Sequence, residues 1–123
     1  MYLDTHVVVW LYAKDAERIS PRARELIEHH DLLLSPMVLL ELEYLFKTGK
    51  TTAKALEIYD YLRETIQIEV CNKSFATVAR RSIGIKWTRD PFDRLITAQA
   101  AIDESLLLTR DDTIHSHYPA AIW

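Results

Sequence analysis

Four short apolar runs constrain this 123-residue chain more than any other feature. Met1–Leu3 stops at Asp4-Thr5, Asp31–Leu34 stops at Ser35-Pro36, Gln67–Val70 stops at Cys71, and Ser105–Thr109 stops at Arg110-Asp111-Asp112. Runs this short are strand lengths, not helix lengths. Three of them are dominated by apolar residues without polar alternation, so both faces of those strands must be covered, whereas Gln67–Val70 alternates. Longer segments with helical spacing separate them. Apolar strands alternating with helices define a parallel sheet packed between helices. The expected fold class is therefore α/β, a three-layer α/β/α sandwich with a short, mainly parallel central sheet. The expected domain count is one, spanning 1–123, because the length is that of an ordinary single domain.

The helix starts are marked chemically. Ser20-Pro21 and Ser35-Pro36 each pair a capping hydroxyl with proline at the first helical position, where the missing N–H costs nothing. The first predicts a helix to about His29. The second predicts one to Lys47, with Gly49 as its stop. Thr51 or Thr52 is expected to cap a further helix through about Glu64, and Ser74 one through about Ser82. The run from His6 to Ala13 is rich in β-branched residues, yet its length and the Asp4-Thr5 start favour a helix. Gly84–Arg89 reads as a loop and Tyr118–Trp123 as an edge strand. The best-marked start is Asp90-Pro91-Phe92-Asp93, with Asp90 at the cap and Asp93 near the positive end of the helix dipole.

Composition excludes several classes. No apolar run reaches the ~18–20 residues of a membrane span, and no positively charged leader precedes the first apolar segment, so neither membrane insertion nor a signal peptide is expected. The single cysteine, Cys71, cannot form an intramolecular disulfide. It fits a cytoplasmic, reducing location and reads as a buried structural thiol. The formal charge of −3 does not advertise nucleic-acid binding, but a metal ion at an acidic site reverses the local sign. Lys86, Arg89, Arg94 and Arg110 flank acidic residues, where charge directed at phosphate would be wanted.

Four carboxylates fall where such a sheet builds its sites, at the carboxyl ends of the strands. Asp4 follows the first strand and Asp111 the strand ending at Thr109. Asp93 lies one turn into its helix, and Glu41 interrupts the apolar run Leu39-Leu40-Glu41-Leu42. Glu43 lies about 200° around that helix from Glu41, so the two cannot face the same way. Each acid has an ordinary reading: Asp4 and Asp93 as capping residues, Asp111 in a turn, Glu41 on a helix surface. Four carboxylates converging on one edge would repel one another without a cation. Hard oxygen ligands select Mg²⁺ or Mn²⁺, ions that hold phosphate oxygens and acidify water.

On these residues the sequence resembles the PIN domain, in particular VapC-type toxin ribonucleases of type II toxin–antitoxin systems. The carriers are Leu3-Asp4-Thr5-His6, Ser35 with Glu41 six residues on, Gly49-Lys50, the run Asp90-Pro91-Phe92-Asp93-Arg94-Leu95-Ile96-Thr97-Ala98-Gln99-Ala100, and Leu107-Leu108-Thr109-Arg110-Asp111. The Asp-Pro-Phe-Asp-Arg-Leu run is the most specific, and the match covers essentially the whole chain. The family usually has a longer lead before its first aspartate than Met1–Leu3 provides. The resemblance implies a PIN-like fold and a Mg²⁺- or Mn²⁺-dependent endoribonuclease whose metal-binding and catalytic acids are Asp4, Glu41, Asp93 and Asp111. Thr5, Thr109, Asp90 and Arg94 are implied as secondary positions. Asp112 stands beside Asp111, and the Thr109-Arg110-Asp111 match selects Asp111. Also implied are an RNA substrate, tRNA among the candidates, an antitoxin that blocks the site, a homodimer, and inhibition of translation.

Two other classes compete. A phospho-accepting receiver domain has a similar length and an acidic Mg²⁺ site, but normally shows paired acids after the first strand and a lysine after the last core strand. Here Asp4 is single and no lysine follows Leu106–Thr109. A PIN-fold RNA- or protein-binding module without catalysis is the second, and the complete acidic quartet argues against it. His6, His115 and His117 read as surface or partner-contacting residues. Trp10 is expected in packing, whereas Trp87, in the loop before Arg89, is a candidate for stacking on bases.

Overall fold

The computed structural model describes every residue from Met1 to Trp123. Five two-residue strands form one sheet: β1 (Tyr2–Leu3), β2 (Leu33–Leu34), β3 (Glu69–Val70), β4 (Leu107–Leu108) and β5 (Ala121–Ile122). Their order is β3-β2-β1-β4-β5, and every pairing is parallel. Tyr2 sits opposite both Leu33 and Leu107. Flanking amides extend these short ladders, as in Asp4 N–H to Leu108 O at 3.0 Å and Cys71 N–H to Leu34 O at 2.8 Å. Strands β1 and β4 are wholly buried, which is why their sequences carry no polar alternation.

Seven helices cover the sheet: α1 (Thr5–Tyr12), α2 (Pro21–His29), α3 (Pro36–Lys47), α4 (Ala55–Ile66), α5 (Phe75–Ile83), α6 (Pro91–Ala101) and α7 (Asp112–His117). Parallel crossovers are right-handed. The chain moves from β1 outward to β3, then returns to β4 and β5, so the handedness rule places the crossovers carrying α1 to α4 on one face and those carrying α5, α6 and α7 on the other. Helices α1, α3 and α4 pack on one another and α5 packs on α6, while α3 also reaches α6. The strand order reverses between β1 and β4. Their carboxyl ends are the topological switch point, where α/β sheets open a crevice.

The capping signals explain most helix starts. The Ser20 hydroxyl accepts Ala23 N–H, and that of Ser35 accepts Met37 N–H at 3.2 Å. Gly49, at φ 76°, takes the left-handed position after α3. The expectation for α4 needs correction. It begins at Ala55, not after Thr51 or Thr52, and its cap residue Lys54 offers no side-chain acceptor. Instead the Glu43 carboxylate of α3 accepts Ala55 N–H at 3.4 Å. A long-range carboxylate does the work of a local cap, and Thr51 turns its hydroxyl to Ala53 O.

Several strands are also shorter than expected. Gln67 is left-handed (φ 58°) and ends α4, so β3 starts only at Glu69. The sheet is parallel throughout, including the C-terminal edge strand. The segment after Thr109, expected to be only a turn, forms α7. Cys71 is buried as expected, accepting the Tyr2 hydroxyl at 3.1 Å. Lys73 donates to the same Tyr2 oxygen at 3.1 Å and pairs with Asp103. Trp10 packs edge-on against Trp123, ring centroids 5.7 Å apart, as a packing residue should.

Candidate active site

Asp4 is the best-held acid. It continues the β1–β4 ladder through its amide and then caps α1. One carboxylate oxygen accepts Thr5 N–H at 2.7 Å and the other accepts the Thr109 hydroxyl at 2.7 Å. The side chain is 5% exposed. Burial raises its pKa above the usual carboxylate range, and Asp111 adds to the rise. The Thr109 hydroxyl, His6 and the Thr5 amide pull the other way.

Thr109 joins two of the acids. Its hydroxyl donates to Asp4 and accepts Asp111 N–H at 3.1 Å, tying β1 to the turn beyond β4. The Asp111 carboxylate caps α7 by accepting Ile114 N–H at 2.8 Å. Asp112 lies in the first turn of α7 and is exposed. Of this pair, Asp111 is the one whose charge is felt at Asp4 and Asp93.

Capping and site-building separate cleanly in α6. Asp90 caps the helix by accepting Phe92 N–H at 2.8 Å and Asp93 N–H at 3.0 Å. The Asp93 side chain is half-buried and accepts no hydrogen bond in the chain. Its pKa is pushed up to about 7, first by burial and then by Asp90, Asp4 and Asp111. Glu41, from the second turn of α3, is pushed up to about 7 as well, first by burial and then by Asp4, with Asp93 and Asp90 adding to it. The nearby Thr5 hydroxyl opposes that rise. One Glu41 oxygen is buried without a hydrogen-bond partner, and so is the Thr5 hydroxyl.

The charge of Asp4 is therefore felt at Glu41 and Asp93, and that of Asp111 at Asp4 and Asp93, near the carboxyl edge of β1 and β4. Thr5, Thr109 and Asp90 surround these acids. Arg94 does not join the site. Its guanidinium donates to Ser82 O at 3.1 Å, its Nε is buried and unpartnered, and it takes part in none of the ion pairs. Here it fastens α6 to the end of α5. The sequence reading passed over Gln99. Its buried side chain accepts the Ser35 hydroxyl at 3.1 Å, linking α6 to the start of α3 across 64 residues. A glutamine among the apolar residues of an amphipathic helix was the available signal.

The donor chemistry fits a hard divalent cation. The acids are all oxygen donors, one carboxylate oxygen is buried without a partner, and burial, with repulsion from neighbouring acids added to it, raises the pKa values of Glu41 and Asp93. A cation relieves each of these costs. No three His, Cys, Asp or Glu side chains form a ready-made ligand group, so the fit rests on chemistry and electrostatics, not on a preformed cage.

A parallel α/β domain with carboxylates gathered at its topological switch point is the class that fold and site define. The PIN domain profile matches residues 1–119, and the chain belongs to the PIN domain family. Ribonuclease VapC22 of Mycobacterium tuberculosis is 28% identical to it, the match covering 98% of this chain and 96% of that protein. Two solved structures share the fold. The VapBC2 structure from Rickettsia felis, bound to a DNA fragment from the promoter, aligns with a TM-score of 0.68 at 19% identity, covering 98% of this chain and 94% of that chain. A toxin–antitoxin complex from Klebsiella pneumoniae aligns with a TM-score of 0.63 at 18% identity, covering 99% and 95%.

Proposed function

We propose that this chain is a Mg²⁺- or Mn²⁺-dependent endoribonuclease, the toxin of a toxin–antitoxin pair. One observation carries the reading. Two half-buried carboxyls from separate helices, Glu41 and Asp93, are both pushed up to about 7, first by burial and then by neighbouring acids that include Asp4. Such an arrangement is costly for stability alone and useful for holding a cation. The similarity to Ribonuclease VapC22 over nearly the full length supports RNA as the substrate, and the shared fold of two toxin–antitoxin complexes is consistent with an antitoxin partner. A homodimer, tRNA as the target, inhibition of translation and cytoplasmic action belong to the same proposal. No helix is long and apolar enough to cross a membrane.

Asp4, Glu41, Asp93 and Asp111 would hold the cation, which when bound supplies charge for a phosphate oxygen and acidifies water. The chain's own part is to fix the acids. The Thr5 amide and the Thr109 hydroxyl fix both Asp4 oxygens, and Thr109 sets Asp111 relative to Asp4. The Asp90 cap sets the first turn that presents Asp93.

The receiver-like alternative is weakened by topology. Receiver domains follow the order 2-1-3-4-5, whereas this sheet runs β3-β2-β1-β4-β5. The test is cleavage of end-labelled RNA by the purified chain in Mg²⁺ and in EDTA. Cutting is expected only with metal, and Asp4→Asn is expected to abolish it while circular dichroism stays unchanged. Cutting by Asp4→Asn at the wild-type rate, or undiminished cutting in EDTA, overturns the assignment. Co-expression with the candidate antitoxin, followed by mapping of cleaved cellular RNAs, identifies the target.

A further inference from the structure

Below the acidic edge, on the face formed by α5, α6 and α7, lies a cavity of about 600 Å³ that the acids do not use. Its walls combine three kinds of chemistry. Trp87 and His117 stack with ring centroids 5.0 Å apart and planes 10° apart, and both line it. Thr97 also lines it. Thr97 is 2% exposed, and its hydroxyl has no hydrogen-bond partner. Arg81 and Glu104 add a donor fork and an acceptor to the lining, and neither takes part in the chain's ion pairs.

The same two helices that carry acids reach this cavity. Thr97 lies one turn, ~6 Å, beyond Asp93 on the same side of α6. Asp111 caps the start of α7 and His117 ends it. The cavity lies along the later turns of α6 and at the end of α7, with Ala101, Glu104 and Pro119 in its wall, beyond the helix starts that carry the acids. A flat stacking surface, an unpaired hydroxyl, a guanidinium and a carboxylate in a pocket of this size suit a planar group with donors and acceptors on its edge. Splayed-out bases of single-stranded RNA are bound in this way, by stacking on aromatic rings and by hydrogen bonds along the base edge.

We propose that this cavity receives one unstacked nucleobase of the RNA strand, stacked on the Trp87–His117 pair and read by Thr97, Arg81 and Glu104. The inference rests on the ribonuclease reading for the identity of the strand, and its test is separable from that reading. Asp4→Asn protein, which keeps the α1 cap but should not cut, is titrated with single-stranded homopolymeric oligoribonucleotides of each base while tryptophan emission is followed. Binding is expected to quench emission with a preference among the bases. Trp87→Phe should remove that quench, and Trp87→Ala should weaken binding ~10-fold or more. Thr97→Val should change the base preference without loss of thermal stability, because it removes a buried hydroxyl that has no partner.

Equal affinity and equal preference in Trp87→Ala and Thr97→Val overturn the proposal, as does a folded protein that binds no single-stranded RNA. A changed oligomeric state in Trp87→Ala at unaltered RNA affinity would assign the cavity to a second copy of the chain, and likewise overturns it. If RNA binds through the cavity but wild-type protein never cuts it in Mg²⁺, the ribonuclease reading falls and the cavity assignment stands. If wild type cuts RNA and the cavity variants cut it with unchanged KM, the reverse holds.

Discussion

Replacing Asp93 by Asn should make the metal-free protein more stable at pH 8 and less responsive to Mg²⁺. The Asp93 carboxyl is pushed from 3.8 up to about 7, by burial and by Asp90, Asp4 and Asp111. In the metal-free folded state it therefore holds its proton more tightly than in the unfolded chain. The stability this contributes is complete below about pH 4 and is lost as pH rises through about 7. A shift of that size corresponds to a ceiling of ~4 kcal/mol. Because the group is only half-buried, screening reduces the effect to ~1 kcal/mol, or ~4 °C in Tm for a domain of this length. Asparagine carries no charge, and Asp90 keeps the helix cap. Differential scanning calorimetry in EDTA should show the variant melting higher at pH 8 and the two proteins converging at pH 4. Saturating Mg²⁺ should reverse the order at pH 8, since a ligand at ~100 times its Kd adds ~2.7 kcal/mol to a protein that binds it. A variant that melts lower than wild type at pH 8 in EDTA would show that Asp93 stabilises the helix start, and the electrostatic reasoning would be refuted.

Three further outcomes follow from the same geometry. Glu41→Gln should flatten the fall in metal-free stability between about pH 4.5 and pH 7, measured by urea midpoints across that range; an unchanged slope counts against a strained Glu41. Thr109→Val leaves one Asp4 oxygen without its 2.7 Å hydrogen bond and Asp111 N–H without an acceptor; a loss of ~2 kcal/mol in chemical denaturation and of metal-dependent RNA cleavage is expected. Asp90→Ala removes the one carboxylate oxygen that accepts two N–H groups at the start of α6; ~1 kcal/mol of destabilisation is expected, with Mg²⁺ binding retained in calorimetric titration.

Local signals carried some elements further than others. Asp90-Pro91 and Ser35-Pro36 placed the starts of their helices to the residue, because a cap and a first-turn proline act within four residues, but the helix after Asp90, expected to run to about Glu104, ends at Ala101. The start of α4 was misplaced, since the acceptor for its first amide belongs to Glu43, twelve residues earlier on another helix. Helix α7 went unnoticed because six residues cannot show a periodic pattern. Its polar sequence becomes helical through the Asp111 cap and the packing of Ile114 in the core. Arg94 looked like charge beside an acidic site, but its length lets it reach Ser82 on α5 instead.

The sequence by itself determined the α/β class, the order of elements and the four acids that stand at strand and helix ends. Those properties depend on hydrophobic patterning and local hydrogen bonding, which act over a few residues. Only the tertiary structure decided what the acids do to one another. Asp4 and Asp111 are far apart in the chain, and Thr109 brings them together across neighbouring strands. The elevated pKa values of Glu41 and Asp93 arise from burial and from charges on other segments. The stacked Trp87–His117 pair and the unpartnered Thr97 hydroxyl likewise exist only where α5, α6 and α7 meet. Spacing along a chain specifies which groups can be presented; distance and dielectric, which need the folded molecule, set what those groups cost and what they can bind.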